Sequence, residues 1–341
     1  MANKKLALSV LDQTPVREGD SASKSIQESL ELAKTCDMLG YRRYWFAEHH
    51  ASPSLAGPAP EIMITRIAAA TKNIRVGSGG VMLGHYSPLK IAETFSVLEN
   101  LYPGRIDLGI GRAPGSDQLT AAALAYGSEV GVEYFPTRVA DLMAFLTNGE
   151  HPTELFNKIK MSPQTETLPQ LWMLGSSDQS AIMAAQFGLA FSFAQFIAPT
   201  GGHNVISQYK KLFQKSRFYG EPDASIGIFM ICGENEKEAK QLSECRDLSL
   251  LMRDKGHFLP FPTLKQVRDY QYSDLDLKII EKNRSRSLFG TPNQCKNIIE
   301  EMAEEYGVNE VTLLTMSPDI ESRKKSYQLI SEVFGLSLIH I

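Results

Sequence analysis

Tyr41-Arg42-Arg43-Tyr44-Trp45-Phe46-Ala47-Glu48-His49-His50 is an apolar run that ends abruptly in an acid and two imidazoles. Side chains alternate across a strand, so a run this apolar is buried on both faces, as in a parallel sheet. A carboxylate and two histidines at its C-terminal end are costly to desolvate unless they are paired or used. In α/β folds, that end of a strand is where binding and catalytic groups collect.

The same kind of run recurs along the chain. Further strands are predicted at residues 6–11, 74–81, 106–109, 170–174, 189–193, 225–231 and 310–314, beside the run at 43–47. Helical patterns lie between them at 23–39, 61–70, 89–100, 180–187, 204–216, 236–252 and 292–306, and 320–334 closes the chain. In the first helix Ile26, Leu30, Ala33 and Leu39 sit at helical spacing before Gly40. Eight strands alternating with helices is the count of an α/β protein of the (β/α)8 TIM barrel type. A doubly wound sheet is the alternative, because a strand count does not show closure.

No repeat or low-complexity linker interrupts the pattern, so residues 1–341 read as a single domain. Two segments exceed plain connectors. The first follows strand 4, at 111–168, and holds helical pieces at 118–124 and 136–146. The second, 253–290, lies near strand 7 and opens with Lys255-Gly256-His257-Phe258-Leu259-Pro260-Phe261-Pro262. It reads either as a lid over the site or as a surface excursion packed on a neighbouring subunit.

Composition narrows the partners. Thirty-five basic against 39 acidic residues give a net charge of −4, with no general field toward nucleic acid or anionic lipid. A phosphate ligand would need a local site. Cys36, Cys232, Cys245 and Cys295 are widely spaced and read as reduced thiols. The apolar run at 6–11 is too short for a signal sequence and stops at Asp12, and no run approaches the ~18 apolar residues of a membrane span. A cytoplasmic protein with no membrane partner is expected.

Four stretches carry chemistry. In Glu48-His49-His50, adjacent histidines point opposite ways, so one faces the barrel mouth, as an acid or base oriented by a carboxylate. Metal binding is a second reading, although adjacent histidines are a poor chelate; a structural Glu–His network is the third. Gly77, Gly79 and Gly80 weaken their strand unless a flat ligand or another backbone must come close, or a bulge turns a barrel corner. Gly109-Ile110-Gly111-Arg112-Ala113-Pro114-Gly115 turns tightly at a strand end, with Arg112 placed to pair with a phosphate or to tie down the insertion. It is not a dinucleotide fingerprint, because Pro114 falls where the helix should start. In Leu174-Gly175-Ser176-Ser177-Asp178 a strand runs straight into a helix start, giving a phosphate cradle or a plain N-cap.

These stretches in this order, with Gly104-Arg105, resemble the bacterial luciferase-like family of flavin-dependent monooxygenases. The resemblance covers nearly the whole chain, from Ser9-Val10-Leu11-Asp12 to the last helix. It implies FMN at the C-terminal mouth, used in its reduced form with O2 to oxygenate a small organic substrate. It implies a homodimer, and an NAD(P)H:flavin reductase as a supplier of reduced flavin. His49 would be catalytic with Glu48 holding its tautomer, and His50 would be structural. A non-proline cis bond under the ring would fall at Gly79–Gly80, while Arg112, Gly175, Ser176 and Ser177 would hold the phosphate. Asp12 and His257 would line the substrate pocket, and no metal is implied. Gly175 stands where luciferases proper carry an acid, so light emission is not inferred. Hydride transfer with FMN or a deazaflavin, and flavin binding without catalysis, are the alternatives.

Overall fold

The computed structural model describes residues 6–113, 115–126 and 134–336. Pro114 and the chain's first residues lie outside them. In chain order the strands are β1 (Ala7–Asp12), β2 (Arg43–Phe46), β3 (Arg75–Met82), β4 (Ile106–Gly111), β5 (Gln170–Gly175), β6 (Ala190–Ala194), β7 (Ala224–Cys232), β8 (Leu288–Gly290) and β9 (Glu310–Leu314). Every pairing between them is parallel. Neighbours follow the order β1 to β7, β9 then joins β7 to β1, and eight strands close into a (β/α)8 barrel. β8 pairs alongside the end of β7, outside the ring. The eight strands read from sequence are all present; β8, at three residues, is too short to show a period.

Alternation divides the core in two. Leu8, Val10, Tyr44, Phe46, Val76, Leu108 and Ile110 face outward into the main cluster shared with the surrounding helices. Leu11, Trp45, Ala47, Trp172 and Ala190 face inward. Trp45 and Trp172 meet edge to face at 5.3 Å across the barrel interior. Arg43, read from sequence as part of an apolar strand, is wholly buried there. Its Nε donates to Glu310 Oε1 at 2.7 Å, and its Nη1 donates to Asp107 Oδ2 at 2.9 Å and Gln170 Oε1 at 2.7 Å. Trp45 Nε1 also donates to Asp107 Oδ2, at 2.9 Å. Burial pushes the Asp107 carboxyl up, but Arg43 and Arg75 outweigh it and hold the pKa below the usual carboxylate range.

Both long insertions are present. After β4 come helices Gln118–Ala125 and Phe135–Thr147 and a short 3-10 turn at Glu154–Lys158. After β7 the chain makes helices Glu236–Asp254, Leu264–Asp269 and Asp274–Asn283 before β8. Here the structure departs from the sequence expectation. Residues 236–252 read as the barrel helix that follows strand 7, yet Leu242, Cys245, Leu248 and Leu251 pack on Phe229, Ile231, Leu314 and Met316. Phe229, Ile231 and Leu314 alternate with Ile228, Met230 and Leu313, which belong to the outer core. Helix Glu236–Asp254 therefore lies over the barrel mouth on its β7 and β9 side. The outside of β7 is covered instead by Pro292–Tyr306, through Cys295, Ile299 and Ala303. Periodicity shows that a helix buries one face; it does not show against what.

Candidate active site

The C-terminal ends of β1 to β6 surround a cavity of about 350 Å³. His49, Gly79, Gly80, Arg112, Gly175, Ser176 and Ser177 all line it. Leu11, Ala47, Leu174 and Phe196 supply apolar wall, and Gln13 an amide. Four separate sequence stretches thus meet at one mouth because they end four neighbouring parallel strands.

His49 follows the β2 strand and points into this cavity, with its backbone N–H donating to Gly57 O at 3.1 Å. Its Nδ1 is buried and has no hydrogen-bond partner among the described residues. Burial first, then the charges of Arg253 and His50, pull its pKa down to about 4. The imidazole is accordingly neutral at pH 7, with one nitrogen to accept and one to donate.

Glu48 departs from the expected role of orienting His49. Alternation sends its side chain the other way, where it is almost wholly buried. There it accepts from His50 Nε2 at 2.6 Å, from Tyr86 OH at 2.6 Å and from the Met82 backbone N–H at 3.0 Å. Glu48, His50 and Tyr86 form a network that ties the β2 end to the β3 end, behind the cavity wall.

The peptide bond Gly79–Gly80 is cis, at the position the resemblance implied. A Cβ on Gly80 would lie 2.7 Å from Gly109 O, so a side chain here would drive β3 off β4. On the facing side, helix Asp178–Phe187 starts at the cavity with Ser177 as its N-cap, whose Oγ accepts from Ser180 N at 3.4 Å. Arg112 Nη1 donates to Gln179 Oε1, in the first turn of that helix, at 2.7 Å. A cation, two hydroxyls and a helix N-terminus therefore share one end of the cavity, which is the donor set a phosphate takes.

The family model described as luciferase-like monooxygenase matches residues 6–310. The chain belongs to the luciferase-like monooxygenase family. A luciferase-like monooxygenase of Escherichia coli (strain K12) is 34% identical over 339 residues, covering 98% of each chain. An N-acetyl-S-alkylcysteine monooxygenase of Bacillus subtilis (strain 168) is 31% identical over 328 residues, 96% of this chain and 98% of the relative. The crystal structure of apo-MsnO8 superposes with a TM-score of 0.90 at 36% identity, covering 97% of this chain and 99% of that one.

Two residues expected in the substrate pocket of this luciferase-like monooxygenase lie elsewhere. Asp12 is wholly buried on the outer face of β1, where it accepts from Arg323 Nη2 at 2.7 Å, Tyr44 OH at 2.6 Å and Thr14 N at 2.8 Å. Its neighbours Leu11 and Gln13 face the cavity instead, as period two requires. His257 is exposed in the loop after helix Glu236–Asp254 and does not line the cavity. Among the described residues no group of three or more His, Cys, Asp or Glu side chains is arranged to hold a metal ion. No helix among them is long and apolar enough to cross a membrane. Sequence reasoning missed Gln13 and the Glu48 to Tyr86 bond; the first was legible from its alternation with Asp12.

Proposed function

We propose that this luciferase-like monooxygenase binds FMN in the mouth cavity and uses it, reduced, with O2 to oxygenate a small organic molecule. One observation carries the reading: His49, Gly79–Gly80, Arg112 and Ser176–Ser177 converge on a single cavity. The residues fit the group. Arg112 and the Ser176 and Ser177 hydroxyls would hold the phosphate at the start of helix Asp178–Phe187, where the helix dipole favours an anion. Gly79 and Gly80 present bare backbone on which a flat ring can lie. Reduced FMN would supply the two electrons that, with two protons, turn one atom of O2 into water while the other goes to substrate.

The protein's own contribution is positioning, dryness and proton control. Leu11, Ala47, Leu174 and Phe196 line the cavity and would shield a bound ring from water. His49, neutral and without a partner at Nδ1 among the described residues, would accept a hydrogen bond or a proton there and return it in the later step. Catalytic weight in the Glu48-His49-His50 run accordingly rests on His49, and Glu48 serves to fix the cavity wall. The working unit would be a homodimer in the cytoplasm, served by an NAD(P)H:flavin reductase.

The test is an absorbance titration of the purified protein with FMN, then anaerobic reduction and admission of air in the presence of N-acetyl-S-methylcysteine, a compound of the class named for the Bacillus subtilis relative. Sulfoxide formed in step with O2 consumption supports oxygenation. Substrate-dependent flavin reduction without O2 uptake would replace it with hydride transfer.

A further inference from the structure

Helix Glu236–Asp254 carries a charge that the flavin reading does not use. Arg246 is only 5% exposed. Its guanidinium lies 4.4 Å from the Phe229 ring centroid, above an inward-facing residue of β7. Nε has no partner among the described residues, and Nη1 meets only the thioether sulfur of Met316, at 3.8 Å. The adjacent acid, Asp247, is ion-paired with Arg284 instead. A buried guanidinium without a carboxylate is expensive, and such groups persist where a ligand completes them.

Two further cations stand beside it. Arg253 is seven residues along the same helix, two turns on and therefore on the same face. No carboxylate pairs with Arg253 among the described residues, and its charge is felt by His49. Arg286, just before β8, donates to Asn283 Oδ1 at 2.8 Å and reaches Asp254 only at 3.8 Å. Burial first, then the charges of Arg253 and Arg286, bring the Arg246 pKa down to about 9, with Asp247 opposing weakly. Mutual repulsion of this kind is relieved by an anion.

We propose that Arg246, Arg253 and Arg286 form a binding site for the carboxylate of the substrate, at the β7 and β9 side of the mouth. The assignment rests on the monooxygenase reading above and adds the class of molecule it takes. The anion is not the flavin phosphate. Arg112 follows β4, and in the closed ring β4 stands opposite β9. Phe196 both lines the cavity and packs against the cluster that holds Phe229, so a molecule held by its carboxylate at Arg246 would project its other end past Phe196 toward His49.

The test uses the full-length protein loaded with FMN, as wild type, Arg246→Met and Arg246→Lys. Melting temperature is followed against N-acetyl-S-methylcysteine and against its methyl ester at constant ionic strength, with FMN affinity measured in the same samples. The free acid should stabilise the wild type at about tenfold lower concentration than the ester, Arg246→Lys should keep part of that preference, and Arg246→Met should abolish it. With no anion added, Arg246→Met should melt on the order of 2 °C higher, because the uncompensated charge is gone. Acid and ester acting alike on the wild type, or a preference that survives in Arg246→Met, would overturn the site. Failure of the wild type to bind FMN while the acid preference remains would sink the flavin reading and leave the anion site standing.

Discussion

His50 Nε2 donates a 2.6 Å hydrogen bond to Glu48 Oε1, while His49, between them in sequence, turns the opposite way and leaves Nδ1 without a partner among the described residues. The acid and the two imidazoles that end β2 are thus split by period two into a wall and a working surface. Glu48 and His50 are committed to protein contacts. His49 alone of the three faces the cavity.

Mutation should separate these roles. Glu48→Ala strands three donors, His50 Nε2, Tyr86 OH and the Met82 N–H, and should cost about 2–4 kcal/mol in urea denaturation. His49→Ala removes a ring whose Nδ1 has no partner among the described residues; it should stay within about 1 kcal/mol of wild type, retain FMN, and lose about 100-fold or more in turnover. Equal stability losses for the two variants would refute the division.

The pH dependence of folding follows from His49. Its pKa is depressed from 6.5 to about 4 in the folded state, so between those values the unfolded chain binds the extra proton. Stability must then rise with pH across this window and be lost as pH falls from about 6.5 to 4. The full shift corresponds to about 3 kcal/mol. His49→Gln should remove that part of the acid sensitivity, so its stability should gain on wild type as the pH is lowered. Denaturation curves of both at pH 7 and pH 4.5 measure the difference.

How much of this was legible follows from what periodicity encodes. The eight barrel strands and the stretches that meet at the mouth were readable, because parallel strands ending together bring sequence-distant residues to one rim. Direction at single positions was harder. Asp12, at a strand end, reads as a mouth residue, although an inward Leu11 leaves its neighbour facing out, where Arg323 waits 311 residues away in sequence. A partner that distant has no local signature. The same holds for Arg43, whose strand neighbours are aromatic and whose counter-charges Asp107 and Glu310 come from β4 and β9. Helix Glu236–Asp254 was visible as a helix, but its seat over the mouth depends on which strand residues its apolar face meets. Arg246 was hidden with it, since an arginine in a charged helix reads as solvated.

Arg112 offers a test of the phosphate end that is independent of turnover. A guanidinium on a phosphate is a charge-assisted contact of about 1.5–3 kcal/mol, and riboflavin has no phosphate to receive it. Arg112→Ala should therefore weaken FMN by about 10- to 100-fold and leave riboflavin within about threefold, as read by flavin fluorescence quenching. Equal losses for both flavins would place Arg112 in a structural tie to Gln179.

The barrel interior gives the largest expected stability effect. Removing Arg43 withdraws the buried cation from Asp107 and Glu310 while both carboxylates stay in the core. Arg75 still reaches Asp107, and the half-exposed Arg42 reaches Glu310 at 3.3 Å, so neither acid is wholly abandoned. Arg43→Met should nevertheless cost about 3–5 kcal/mol, the usual penalty for breaking a buried pair from one side. Arg43→Lys should recover only part of it, because a point charge cannot serve Glu310, Asp107 and Gln170 from fixed, divergent N–H groups. The deficit of Arg43→Met should narrow as pH falls toward 4, since Asp107, which Arg43 helps hold ionised in wild type, can then take up a proton more readily. A deficit that is constant across pH would mean that Arg43 acts by filling space against Trp172, 4.8 Å from its guanidinium, rather than by its charge.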